Sequence, residues 1–133
     1  MITKKIIVFL TIVLIVLIFS TCATVYIPDD LTPAQLSQRA QEAIDRNRFN
    51  IARQYFEALR SRNPQNLNLI ITAEYGIGQT HFKQKNYDEA RQSFNSVLSY
   101  FAQPGSEWLN LHYRQLAVIM LARIDEIENR RRR

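Results

Sequence analysis

The stretch "ARQYF", Ala52 to Phe56, returns 38 residues later as "ARQSF", Ala90 to Phe94. The same offset relates Ala40 to Gly78 and Phe49 to Tyr87. Spacing holds inside each unit too: Ala40 precedes Ala52 by 12 residues, as Gly78 precedes Ala90. A small residue, then an aromatic, then A-x-x-x-F is the skeleton of a helix-turn-helix repeat. Small residues let two helices approach closely, and the aromatics fill the space between them. Pro64 ends the first unit, because proline cannot continue a helix. The expected fold is all-α: a solenoid of two repeats, 33–64 and 71–103, with a long C-terminal capping helix in 104–133.

The expected packing residues are Ala40, Phe49, Ala52 and Phe56 in the first copy, and Gly78, Tyr87, Ala90 and Phe94 in the second. Upstream, "TPAQ" predicts a helix start. Thr32 suits the N-cap, Pro33 the first helical position, and Gln35 completes a T-x-x-Q capping box. Downstream, Pro104-Gly105 breaks the chain and Ser106 can cap the last helix. Leu109, Tyr113, Leu116, Met120, Ile124 and Ile127 then recur at three- and four-residue steps, which predicts one long helix with an apolar stripe. Trp108 stands where a third repeat's first helix would carry its large aromatic. Val118, Ile119 and Leu121 widen the apolar face, so the helix reads either as a cap on the second repeat or as a docking surface. "RRRR", Arg130 to Arg133, suits a helix C-terminus by complementing the dipole; binding to anionic lipid headgroups is the alternative use.

These residues resemble the tetratricopeptide repeat. Ala40, Ala52, Phe56 and Pro64 match the family pattern, as do Ile77, Gly78, Ala90 and Phe94. The late-helix tyrosine is replaced by Ala43 and His81, and "QNLN", Gln65 to Asn68, stretches the unit beyond the family's usual 34 residues. The segment "GQTHFKQKNYDEARQSF", Gly78 to Phe94, is similar to units of envelope lipoproteins of the BamD and CpoB groups. The resemblance implies a concave groove lined by the first helix of each unit. Ser37, Gln41 and Ile44 map there from the first copy, and Tyr75, Gln79 and Phe82 from the second. Leu109 and Tyr113 extend that wall if the last helix stacks in register. The groove lacks the lysine and asparagine set of carboxylate-clamp members. A segment packing on Tyr75 and Phe82 is therefore the expected ligand, unless those rings contact the capping helix.

The N-terminus reads as a targeting segment. Lys4 and Lys5 precede a 14-residue apolar run, Ile6 to Phe19, and small residues come after it. That is the layout of a secretory signal, and the run is short of the roughly 20 residues that span a bilayer. Cys22 is the single cysteine. "Phe19-Ser20-Thr21-Cys22" resembles a relaxed bacterial lipobox, with Phe for the usual Leu and Thr for Gly or Ala. The resemblance implies a signal peptide over 1–21 and a lipid on Cys22. An uncleaved anchor reaching Val25 is the alternative. Residues 22–32 are expected to form the lipidated cysteine and an extended tether, lifting the domain by up to about 3.3 Å per residue. Ala23 is not Asp, which favours the outer membrane over the inner.

Charge excludes a nucleic-acid role. Of 17 Lys and Arg, two lie in the N-terminal segment and four in the tail, leaving 11 against 12 Asp and Glu in the body. No basic face with interleaved aromatics appears. His81 and His112 have no acidic or cysteine partner at metal-ligand spacing, and three glycines form no phosphate loop. The expectation is a non-enzyme with no catalytic residue, no cofactor and no metal. It would be a membrane-anchored adaptor facing the periplasm in the bacterial cell envelope, holding another envelope protein. A self-associating structural subunit is the alternative, since two repeats bury little; a third reading is an accessory subunit of a transporter.

Overall fold

A computed structural model describes residues 24–133. They form α1 (Pro33–Asp45), α2 (Phe49–Arg62), α3 (Leu67–Lys83), α4 (Tyr87–Phe101), a short 3-10 turn (Ser106–Trp108) and α5 (Leu111–Arg131). The described chain is all-helical. Each helix packs chiefly on its sequence neighbour, with lighter contacts between α1 and α3 and between α3 and α5. Helix α5 therefore stands to α3 as α3 stands to α1.

The start of α1 is as its sequence dictates. The Thr32 hydroxyl accepts from the Gln35 amide at 3.3 Å, and Gln35 Oε1 accepts from the Thr32 amide at 2.9 Å, with Pro33 at the first position. The repeat is visible in the turns as well as the helices. Arg48 N–H donates to Ala43 O at 2.8 Å, and 38 residues on Asn86 N–H donates to His81 O at 3.0 Å. Between them Asn47 and Lys85 adopt left-handed φ of 57° and 64°. Asparagine takes that conformation readily; lysine does so at a steric cost. The backbone bonds of these turns use positions 43 and 81 only through their carbonyls, so the turn itself accepts either Ala or His.

Two apolar cores result. The first holds Leu36, Ala40, Ala43, Ile44, Ala52, Tyr55, Phe56 and Leu59, closed by Ala73 and Ile77 of α3, with Phe49 packed at its edge. The second holds Ile71, Ala90, Phe94 and Val97 with Leu109, Ala117 and Ile124, and Tyr87 lies against it. Phe56 and Phe94 are both buried but rest on different floors. A methyl group on Gly76 would run into the Phe56 ring, whereas one on Gly78 would lie 2.8 Å from Cε1 of Phe94. The first aromatic thus packs on the next unit's helix and the second on its own.

Three expectations are corrected. The second unit starts at Leu67, not 71, because Asn66 caps the helix through Leu69 N–H at 3.2 Å and draws Leu67 and Asn68 into α3. The last helix is capped by Asn110, not Ser106; Ser106 only opens the 3-10 turn, its hydroxyl donating to Phe101 O at 3.0 Å. Trp108 therefore lies in that turn, 62% exposed, and not on a repeat helix.

The tether is extended but not free. Val25, Ile27 and Leu31 pack on the first core. Val25 N–H donates to Gln54 Oε1 at 3.0 Å, and Arg62 donates to the carbonyls of Pro28 and Ile27 at 2.8 and 3.0 Å while pairing with Asp29. The segment is a strap laid along α2, covering the open side of the first repeat. Cys22 and the apolar run lie outside the described residues.

Candidate interaction site

The expected groove residues fall on α1 and α3, with Leu109 and Tyr113 at the start of the last segment. Tyr75 is half-buried between Phe94 and Tyr113, with ring centroids 5.5 and 5.4 Å away. Its hydroxyl titrates above the ordinary tyrosine range, first because burial disfavours the anion and then because Tyr113 lies beside it. Phe82 meets Tyr87 edge-on at 5.6 Å and lies beneath the Arg123 guanidinium at 5.9 Å. Tyr75 and Phe82 are thus engaged by α5 and α4, the use in which they contact the capping helix. Ile44 and Leu109 are each 4% exposed and belong to the two cores, so neither presents a surface to a partner. Leu109 also precedes α5 and does not ride on it. On the inner helices Gln41 is open, donating to Asp45 at 3.1 Å, and Gln79 is half-buried.

Helix α5 is held by contacts that helical spacing alone does not reveal. Arg91 of α4 reaches two carboxylates on it, Asp125 at 2.7 Å and Glu128 at 3.0 Å. The Asp125 hydrogen bond holds the guanidinium above its usual range. Arg131 lies 5.0 Å over the Tyr87 ring, a cation–π geometry. At the other end Asn110 N–H donates to Asn68 Oδ1 at 3.1 Å. Asn68, part of the stretch that lengthens the repeat, is thus the anchor point for the last helix. No sequence signal marks it, since its partner lies 42 residues away.

Ala117 and Ile124 face the second core and are fully buried. Leu121 also turns inward. The opposite side of α5 is uncovered: Leu111, Val118 and Ile119 are 54%, 52% and 60% exposed. With Arg114 and Gln115 the last two line a shallow groove of about 470 Å³. Arg114 makes no ion pair among the described residues. In a third repeat this face would be covered by a second helix, which the chain does not supply among the described residues.

His81 sits in the last turn of α3, its Nδ1 buried without a hydrogen-bond partner among the described residues. Burial holds its pKa below the ordinary histidine value, and nearby Arg53 adds to that. His112 lies exposed beside Tyr113. Among the described residues no three His, Cys, Asp or Glu side chains gather as a metal site. No described helix is long and apolar enough to cross a membrane.

Stacked antiparallel helices with matched turns define an α-helical repeat protein. A tetratricopeptide-repeat family model matches residues 43–114, more than half the chain, and the protein belongs to that family. Such repeats are in general protein-interaction modules and not catalysts. An uncharacterized protein of Treponema pallidum (strain Nichols) is 33% identical over 98 residues, which is 74% of this chain and 39% of that protein. The chain thus spans about two-fifths of that relative's length. No solved structure matches.

Proposed function

We propose that this protein is a lipid-anchored adaptor of the bacterial cell envelope, which holds an envelope protein through the uncovered face of α5. The observation that carries the reading is that face. Leu111, Val118 and Ile119 leave a helix-wide apolar strip exposed where the repeat architecture would place another helix. Aliphatic surface of this kind gains most when a partner removes it from water. Arg114 beside it, with no ion pair among the described residues, favours an amphipathic partner helix carrying a carboxylate opposite. The groove around Tyr75 and Phe82 is already filled by the chain itself. Anchoring rests on the resemblance of Phe19 to Cys22 to a lipobox, and the outer membrane is favoured because Ala23 is not Asp. Assembly of envelope complexes, as the BamD and CpoB resemblance suggests, is the setting proposed.

Crosslinking in native membranes with mass spectrometry tests the adaptor role. The pair Val118→Asp and Ile119→Asp should abolish the principal heterologous crosslink while the melting temperature shifts by only a few degrees. Retention of that crosslink by the folded variant would exclude the α5 face. Crosslinks solely between copies of this chain would favour the self-associating subunit. A fatty-acid analogue should label the wild type and spare Cys22→Ala; equal labelling would remove the lipid anchor.

A further inference from the structure

Alternating helices bring three basic segments to one edge of the solenoid. The α1–α2 turn carries Arg46 and Arg48, and the end of α3 with the turn after it carries Lys83 and Lys85. The end of α5 carries Arg132 and Arg133. The two turns adjoin, since Gln84 lines one cleft with Asn47, Arg48 and Ile51. The α5 end joins them through Arg131 over Tyr87 at the start of α4. All six side chains are exposed and none makes an ion pair among the described residues. Acidic groups on this edge are Asp45, which accepts from Gln41, Glu42 in a cleft with Arg46 and Arg48, Asp88 and Glu89 in the first turn of α4, and near the end of α5 Glu126 and Glu128, which pair with Arg130 and Arg91. The other edge is the reverse. Its turn and loop, 63–66 and 102–110, carry only Glu107, and the strap adds Asp29 and Asp30. Of the arginines near it, Arg60 and Arg62 are paired with Glu74 and Asp29, and only Arg114, in the first turn of α5, lacks an ion pair among the described residues.

The path of the chain agrees with this polarity. From α1 the strap runs back along α2, past Arg62 near its end to Gln54 at mid-helix, and so toward the basic edge. It reaches Val25 in a cleft of about 450 Å³ that Arg39, Arg46 and Arg48 share with Glu42. Only three residue steps separate Val25 from Cys22, a reach of about 10 Å. With the strap docked, the domain has no long leash.

We infer that the basic edge formed by the two inner turns and the end of α5 lies on a membrane surface containing anionic lipid, whose phosphate headgroups pair with its six cations. The inference rests on the proposed membrane attachment, and on either form of it, lipid or uncleaved segment. Helix C-termini favour cations for dipole reasons alone. That does not account for Arg48, at the start of α2, or for all six lacking a partner carboxylate among the described residues. Such contacts act over about 10 Å at 0.1 M salt and fade as salt rises. An edge-on stance would leave the exposed face of α5 standing up from the membrane, open to a partner.

The test uses the full chain, with Cys22→Ser, in lipid nanodiscs held by its apolar N-terminal run. A fluorophore on Asn86→Cys reports the basic edge and one on Gln103→Cys the opposite edge. Discs of phosphatidylcholine, with or without phosphatidylglycerol, carry a headgroup spin label as quencher. Quenching at position 86 should exceed that at 103 severalfold in anionic discs. The excess should vanish in neutral discs, in high salt, and in the folded variant Lys83→Glu, Lys85→Glu, Arg132→Glu, Arg133→Glu. Equal quenching at both positions, or an excess indifferent to lipid charge, overturns the inference. Co-migration with the discs reports attachment separately. If it fails with neutral discs, salt-sensitive co-migration with anionic discs would still support the edge, and its absence there too would overturn it.

Discussion

The two repeats share a sequence skeleton but not a cover. The first is closed on its outer side by an irregular strap, Val25, Ile27 and Leu31, fastened by Gln54 and Arg62. The second is closed by a 21-residue helix fastened by Arg91, Asn68 and the tilted contact of Tyr113 with Tyr75. A strap has little apolar surface and needs polar clips to its carbonyls. A helix offers a whole face, and then leaves its other face bare. Two ends of one solenoid thus take different roles: the first end is finished by the chain leading to it, and the second presents Leu111, Val118 and Ile119. Solenoid repeats bury their faces only against neighbours, so the cover at each end determines which surface remains exposed.

The comparison breaks most visibly at the aromatics. Phe94 is fully buried and Phe56 is 5% exposed, and replacing a buried Phe by Ala typically costs about 3–5 kcal/mol. Against a total of about 5–15 kcal/mol, either change should lower the melting temperature by more than about 10 °C. Unchanged melting in both would show the repeat packing to be wrong. Gly76→Ala sharpens the difference between the units. Its methyl group meets the Phe56 ring held between α2 and α3, and overpacking costs about 1–3 kcal/mol. Combining it with Phe56→Ala, which makes room, should cost less than the sum of the two. Strict additivity would mean that ring and glycine do not touch.

Arg91→Ala addresses the second cover alone. Half-exposed ion pairs contribute about 0.2–1 kcal/mol each, so global melting should fall by only a few degrees. Amide exchange in the last two turns of α5 should rise while α1 and α2 keep their protection. Uniform acceleration across all helices would show that α5 does not open independently. His81 gives the smallest effect. Its folded pKa lies below the ordinary value of about 6.5, so the unfolded chain binds the proton more readily. The stability this provides is complete above about pH 6.5 and is lost as pH falls from there toward the folded pKa. Melting should weaken on acidification in that window, and His81→Gln should flatten the slope. An identical slope in the variant would place the titration elsewhere.

Much of this architecture is legible in the residues alone. The 38-residue offset marks both helix pairs, and the T-x-x-Q box marks the start of α1, because caps and repeat spacing are local chemistry. The offset extends further than the apolar pattern shows, to Asn47 and Lys85 in the turns. The start of α3 is harder to place, because Asn66 in a Pro- and Asn-rich stretch resembles loop although its side chain serves as a cap. Ser106 and Asn110 are both plausible caps, and local sequence does not rank them.

The sequence by itself determined that the chain would form helical pairs, which residues would face inward, and that the body would carry no large net charge. Each of those comes from periodicity, small-residue spacing and composition. The tertiary structure alone decided that the tether is a strap, that Tyr75 and Phe82 are filled by the chain's own later helices, and that scattered Arg and Lys converge on one edge. Most of those outcomes depend on partners far apart in the chain, as in Val25 with Gln54, 29 residues on, and Asn68 with Asn110, 42 residues on. A hydrogen bond or ring contact at that separation has no period in the sequence, and only the stacking of the helices brings its two halves together.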